Sequence, residues 1–152
     1  GFGGYSHIVM RFHLSAPHDS LRLEPTTGYL GLGGKVATHP VHLKSGAHVT
    51  TGGVWTNASS RDYKQDIKEL SVDEALAAFD DLKPMKFKYK NSPAEEQVGF
   101  IAEDVPALVA TQDRKGMSPM DVVAVLTKVV QEQQKTVAAL SKRIEELEKG
   151  SR

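Results

Sequence analysis

Cysteine is absent from this chain, and its absence excludes disulfide frameworks, thiolate metal sites and cysteine nucleophiles. No stretch approaches the roughly 18 consecutive apolar residues that a membrane-spanning helix needs. Neither sign of charge is in excess, since 19 basic residues balance 19 acidic ones. Proteins that bind nucleic acid or anionic membranes use a net basic face, so we expect neither nucleic acid nor membrane among the partners.

The composition changes sharply near residue 58. Ten of the 13 glycines and all six histidines lie before this point, together with only six charged residues. After it come 15 basic and 17 acidic residues in a sequence rich in helix formers. We therefore predict a glycine-rich piece over 1–58 and a second piece over 59–117, which continues into a C-terminal helix over 118–149.

The first piece reads as short strands and turns. Leu21 and Leu23 alternate with charged residues, residues 29–34 are β-like but punctuated by glycine, and residues 36–43 form an extended run. Large apolar residues are too few for 58 residues to bury a core alone. Two interpretations remain open, a disordered segment or strands that wrap around copies of themselves, and we favour an intertwined β stalk.

The second piece opens with a helix signal. Ser71 and Glu74 have the spacing of a capping box, in which each side chain satisfies the other residue's backbone N–H. This pattern predicts a helix through about Leu82, with Pro84 stopping it.

A hairpin is predicted next. Residues 85–89 alternate apolar side chains with lysines, which predicts a half-buried strand with a lysine-covered outer face. We expect a turn at 91–93, a partner strand at 98–102 and a short helix at 103–110, interrupted by Pro106.

The clearest pattern lies in the C-terminal helix. Ser118 suits the N-cap and Pro119 the first helical position. Seven apolar residues and one glutamine then recur at alternating steps of three and four, as in the a and d positions of a coiled coil. These residues are Val123, Leu126, Val130, Gln133, Val137, Leu140, Ile144 and Leu147. We favour a homomeric coiled coil over a helix packed on its own domain. β-branched residues at a with leucine at d lean towards dimers, and the pattern alone leaves the strand number open.

Four motifs carry a resemblance. They are Ser-Ser-Arg-Asp-Tyr-Lys at 59–64, the strand over 82–90, Gly-Phe-Ile-Ala-Glu-Asp-Val-Pro at 99–106, and Val-Gln-Glu-Gln-Gln at 130–134. In this order they resemble the C-terminal intramolecular chaperone domain of endosialidase-type phage tailspikes and tail fibres, the peptidase S74 family. One departure concerns Ser60, since family members often have an aspartate directly after the serine.

The resemblance implies an α+β homotrimer. A glycine-rich, triple-β-helix-like stalk would precede a mixed helix and hairpin chaperone domain that ends in a long coiled coil. The family folds a trimeric fibre and then severs itself from it, as a single-turnover serine endopeptidase acting in cis. Its partners would be copies of itself and the upstream stalk. The expected location is the tail fibre or spike of a virion, with the chaperone part released in the host cytoplasm.

Carried onto this chain, the resemblance places the scissile bond between Ala58 and Ser59, with Ser59 as nucleophile and Lys64 as general base. A serine hydroxyl needs a base within hydrogen-bond reach, and an amine serves only when neutral, which burial or a nearby cation favours. Ser60 is a competing nucleophile, and Asn57 is either a turn residue or a group that orients the carbonyl. We expect Asp62 and Asp66 to be solvated or helix-capping residues, although an ion pair of either one with Lys64 would oppose base function.

No metal and no cofactor are predicted. His39 and His42 could lie on one side of a turn, but histidine in a β stalk is most often a solvated side chain. Two other functions compete with self-cleavage. One is a non-cleaving trimeric fibre tip that recognises a host surface. The other is a regulator like the myelin regulatory factor, which is ranked last because no DNA-binding or membrane segment is found.

Overall fold

The computed structural model describes residues 20–150, which form two compact units that divide between Ile67 and Lys68. The sequence-based boundary at 58 and the onset of the C-terminal piece at 118 stay predictions. No helix in the described part of the chain is long and apolar enough to cross a bilayer.

The described part of the first unit is a sheet of five very short strands. Their order in space follows the chain, with β2 and β3 parallel and the other neighbours antiparallel. The strands are β1 (Leu21–Leu23), β2 (Leu30–Leu32), β3 (Val41–Leu43), β4 (His48–Val49) and β5 (Trp55–Thr56). The first three confirm strands expected from sequence, although β3 occupies only the end of the predicted 36–43 run.

The sheet buries almost no large apolar side chain. In the described part of this unit, the buried residues are Gly31, Ala37 and His42. Gly31 is required by close approach, because a Cβ there would lie 1.9 Å from the carbonyl oxygen of Lys35. A sheet with this little core is poorly stabilised alone, as expected from the scarcity of apolar residues.

The second unit begins with a helix that the sequence predicts well. Helix α1 (Val72–Asp81) is capped by Ser71, and the capping box with Glu74 is fully formed. Strands β6 (Met85–Tyr89) and β7 (Ser92–Gly99) follow as an antiparallel hairpin.

The hairpin differs from the sequence-based prediction in two ways. The turn lies at residues 90–91 and β7 starts at Ser92, because pairing continues past Pro93 with a register shift between Phe87 and Tyr89. A two-stranded ribbon tolerates proline because an edge strand leaves N–H positions unpaired. The predicted half-buried face is also wrong for the single chain, since only Phe87 in β6 is partly buried.

Residues 103–110 form turns instead of the predicted helix. Pro106 lacks an N–H and disfavours helical geometry at the preceding residue, so no helix forms across it. Arg114 holds this segment instead, donating hydrogen bonds of 2.6 Å to the carbonyls of Glu103 and Val105.

Helix α2 (Pro119–Gly150) starts where the sequence predicts, and the Ser118 hydroxyl accepts a hydrogen bond from the Met120 N–H. Its first turns bury Val122, Val125 and Val129. The core of the second unit consists of Ala78, Val105, Val109, Val122 and Val125. Helix α2 thus packs on its own domain through residues other than the predicted a and d residues between Val123 and Leu147, which we call the coiled-coil seam.

Candidate active site

A short turn brings two predicted site residues together. The Lys64 Nζ donates a hydrogen bond of 2.7 Å to the Ser59 Oγ. Between them, residues Arg61–Tyr63 form one turn of 3-10 helix, and the Lys64 N–H closes it on the Arg61 carbonyl at 3.0 Å. This compact turn returns the chain towards Ser59, so a spacing of five residues becomes a direct contact.

The neighbouring serine has a different partner. The Ser60 hydroxyl accepts a hydrogen bond from the Asp62 N–H at 3.3 Å and thereby caps the 3-10 turn. Since a cap fixes the start of a helical turn, Ser60 helps to hold the geometry that places Lys64 beside Ser59. Its contacts favour a capping role over the competing role of nucleophile.

The electrostatic surroundings of Lys64 are simple. Among residues 20–150, neither Asp62 nor Asp66 forms an ion pair with Lys64. The carboxylate partner that would hold the amine in its charged form is therefore not supplied by these two residues. Both Ser59 and Lys64 are exposed in the chain by itself.

The β3–β4 hairpin supports the segment around the predicted scissile bond. Gly46, at the turn of this hairpin, has φ +92°, a conformation that favours glycine. A Cβ added there would lie 3.5 Å from the Ala58 Cβ and 3.7 Å from the ring of Tyr63. Ala58 and Tyr63 therefore lie beside the turn of this hairpin.

Exposed apolar side chains surround the same segment. Asn57 accepts a hydrogen bond of 2.9 Å from the indole N–H of Trp55, which gives this asparagine a partner other than the scissile carbonyl. Trp55 and Ile67 are about half exposed, and Val54 and Tyr63 are about two thirds exposed. Exposed large apolar side chains that lie together in the sequence in this way are candidates for contact with a partner.

Three histidines form a second cluster in the same unit. His39, His42 and His48 bring ring nitrogens within 4.8 Å of one another. His42 is buried, and its pKa lies below the ordinary value because of burial first and then the charges of Lys35, His39 and His48. Sequence reasoning considered His39 and His42 but missed His48. The turn residues Ser45 and Gly46 could have signalled it, because a hairpin centred there pairs positions 42 and 48.

The turn from Ser59 to Lys64, which we call the serine–lysine turn, lies in a segment that matches a known protein family. Residues 59–112 match the peptidase S74 model, described as chaperone of endosialidase. This segment is similar to the chaperone-of-endosialidase domain. The resemblance read from the sequence motifs is thereby confirmed for about a third of the chain. No curated protein and no solved structure matches the chain.

The start of the matched segment coincides with a predicted site residue. The chaperone domain begins at Ser59 in the family match, whereas residues 59–67 pack within the first compact unit. The segment that carries Ser59 and Lys64 therefore lies in the part of the sequence that matches the family, and it packs within the β-sheet unit. Helix α2 begins beyond the end of the match.

Proposed function

We propose that this chain is the end of a fibre-like protein, in which the chaperone domain trimerises and folds a β stalk and then cuts itself off. The cut lies between Ala58 and Ser59, with Ser59 as nucleophile and Lys64 as general base. The observation that carries the proposal is the 2.7 Å contact between the Lys64 Nζ and the Ser59 Oγ.

The chemistry is an acyl shift followed by hydrolysis. The neutral Lys64 amine takes the Ser59 hydroxyl proton while Oγ attacks the Ala58 carbonyl carbon. The peptide C–N bond then breaks, the Ser59 nitrogen receives a proton and becomes a free amine, and Ala58 is held as an ester on Oγ. Water hydrolyses the ester, which releases the Ala58 carboxylate and restores the hydroxyl. Because the substrate is tethered to the nucleophile, proximity supplies much of the rate.

Assembly supplies the neutral amine. An amine in water is mostly protonated at neutral pH, and removal from water favours its uncharged form. The apolar side chains around the site, among them Trp55 and Tyr63, are exposed in the single chain. Neighbouring copies that cover these rings would also exclude water from Lys64, so cleavage would wait until the trimer has formed.

The exposed face of α2 supports self-association. All seven apolar residues of the predicted seam are exposed, and Gln133 is exposed with them. The helix meets its own domain through a different face, which includes Val125 and Val129. A seam of a and d residues that the chain does not cover is suited to copies of the same helix. Trimer rather than dimer follows from the family's implied assembly.

The first unit has the properties expected of a stalk end that becomes stable only when copies of the chain associate. Its sheet buries few apolar side chains within one chain, so wrapping around two other copies would supply the missing core. The coiled coil would hold three chains in register and lower the entropic cost of starting such a stalk. Cleavage would then make the assembly kinetically irreversible. The partners are thus copies of the chain and its own stalk, and the stalk would remain on a virion tail fibre or spike while the chaperone part is released.

Denaturing electrophoresis with intact-mass spectrometry tests the cut. The chain should yield two fragments, 1–58 and 59–152, and Ser59→Ala and Lys64→Ala should each leave one intact species. Ser60→Ala is the matched control, because it removes an adjacent hydroxyl with a capping role and should still be cut at the same bond.

Two results would contradict self-cleavage. One is scission that persists in Ser59→Ala, and the other is a parent chain that stays whole after trimer formation has been verified by sedimentation. A whole trimeric parent would favour the non-cleaving fibre tip, for which the exposure of Ser59 and Lys64 in the single chain is the supporting observation.

A further inference from the structure

We infer that His39, His42 and His48 bind one divalent transition-metal ion of the Zn²⁺ class, which ties the turn before β3 to the β3–β4 hairpin. Ring nitrogens of all three lie within 4.8 Å of one another. The cluster is separate from the serine–lysine turn, and the proposal does not depend on cleavage.

Backbone pairing places two of the three rings. His42 and His48 are direct partners across the antiparallel β3–β4 pair, and such partners have Cβ atoms about 4.5–5.5 Å apart. His39 precedes Pro40 in the turn before β3, and its ring stacks on that of His48 with centroids 3.7 Å apart. Three imidazoles from three consecutive elements thus lie next to one another, and the stacked rings of His39 and His48 must turn for their nitrogens to face one ion.

The ligand set suits zinc. Imidazole nitrogen binds Zn²⁺ at about 2.0–2.1 Å, and three histidines leave the fourth tetrahedral position for water. Ligand nitrogens around such an ion lie about 3.3–3.5 Å apart, so the rings must close by about 1 Å or slightly more. His39 and His48 are only half-buried, which leaves them room for this movement and leaves the fourth position open to solvent.

Hydrogen bonds to the other ring nitrogens orient the cluster. The His48 Nδ1–H donates to the Gly46 carbonyl at 3.0 Å, and because a carbonyl can only accept, the Nε2 of His48 carries the free lone pair. The Thr38 Oγ1 lies 3.1 Å from the His39 Nδ1 and 3.2 Å from the His42 Nδ1. Partners of this kind hold metal-binding histidines in the required tautomer and orientation.

One hydrogen bond of His42 must change when the metal binds. The Thr38 N–H lies 3.3 Å from the His42 Nδ1 and donates to it. Binding through Nε2 would exchange this long bond for one from Nδ1–H to the Thr38 hydroxyl, which has two lone pairs and can accept from both rings. The hydroxyl is already within 3.2 Å of this nitrogen, whereas the Thr38 N–H gives up its acceptor and must turn away from the protonated Nδ1.

The positive charge of Lys35 near the three histidines opposes the binding of a cation. Lys35 is close enough for its charge to disfavour a charged His42, and it would repel a bound divalent ion in the same way. Replacing Lys35 by glutamine should therefore tighten metal binding, whereas a site built on a different set of residues would not respond to this change.

A bound ion would stabilise the sheet of the first unit. The described sheet has little apolar core, and a small unit of this kind gains stability from a metal that joins its elements. Gly46, whose carbonyl accepts the hydrogen bond from His48, lies beside Ala58 and Tyr63, since a Cβ added there would come within 3.7 Å of both side chains. The ion would thus stiffen the hairpin turn next to the Ala58–Ser59 segment.

Calorimetric titration with Zn²⁺ of the chelator-treated 152-residue chain, kept whole by the Ser59→Ala background, tests the inference. We expect one ion per chain, with affinity lowered at least tenfold in His39→Ala and in His48→Ala. Thr38→Val, which keeps the shape but removes the hydroxyl, should lower it by about 10–100-fold, the usual cost of losing an outer partner of a ligand. His18→Ala is the matched histidine control and should bind as the parent does.

The outcomes separate the cluster from other histidines. Absence of binding by the parent overturns the inference, as does binding that survives His39→Ala and His48→Ala together. Loss of binding in His18→Ala would also overturn it, by assigning the ion to the N-terminal histidines. Circular dichroism checks that each variant is folded. If a histidine variant is unfolded, the expected loss of affinity in Thr38→Val and the expected gain in Lys35→Gln still test the site.

Discussion

Truncation of Leu140 tests the exposed seam of α2 most directly. Leu140 is 58% exposed in the single chain. Full burial of a leucine side chain is worth about 1.5–3 kcal/mol, so covering the exposed part contributes about 1–1.7 kcal/mol per chain. Three chains lose about 3–5 kcal/mol in Leu140→Ala. At about 1.4 kcal/mol per tenfold change, the trimer association constant should fall by about a hundredfold to several thousandfold.

Sedimentation equilibrium over a range of protein concentrations measures this constant. The Ser59→Ala background keeps the chain a single species during the experiment. Met120→Ala is the matched control, because Met120 is 57% exposed on the same helix but lies outside the seam. Equal association of parent and Leu140→Ala would refute the assignment of the seam, and a monomeric parent would refute self-association through α2.

Three further predictions concern stability and protonation. Val125→Ala should lower the free energy of unfolding by about 1.5–3 kcal/mol, since Val125 is fully buried in the core and its truncation leaves a cavity. Ser71→Ala should cost about 1 kcal/mol, because it removes the capping box of α1. Burial holds the pKa of His42 below about 6.5, so its folded form binds fewer protons and its contribution to stability is lost as pH falls below that value.

Denaturant unfolding measures the first two effects, and Ser92→Ala, a change at an exposed strand position, is a control that should leave stability nearly unchanged. An unchanged denaturant midpoint in Val125→Ala would contradict the packing assigned to α2. An unchanged midpoint in Ser71→Ala would contradict the capping role of Ser71. Nuclear magnetic resonance titration of the His42 ring checks the third effect. A midpoint at or above 6.5 would contradict it.

Features that depend on neighbouring residues in the chain were predictable. The capping box at Ser71 and the start of α2 after Ser118 follow from side chains that satisfy nearby backbone N–H groups. The serine–lysine pair also lies within six residues. Even so, sequence alone could not tell that Ser60 caps the turn and that Lys64 contacts Ser59, because both serines are near enough to the amine.

Features that depend on pairing between distant residues were missed or misplaced. The bounds of β7 follow from its register with β6, and local pattern placed that strand too late. His48 joins His39 and His42 only because the hairpin makes positions 42 and 48 partners. The segment over 103–110 forms turns that Arg114 ties together from outside the segment.

The sequence by itself determined where helices start, which residues could form a coiled-coil seam, and the kinship of the serine–lysine segment. These properties arise from periodicity and from contacts within one or two turns. Only the tertiary structure decided which face of α2 packs on its own domain, which serine meets Lys64, and that three histidines converge. Such choices depend on strand register and on competition between possible contacts, and both are settled when the chain packs.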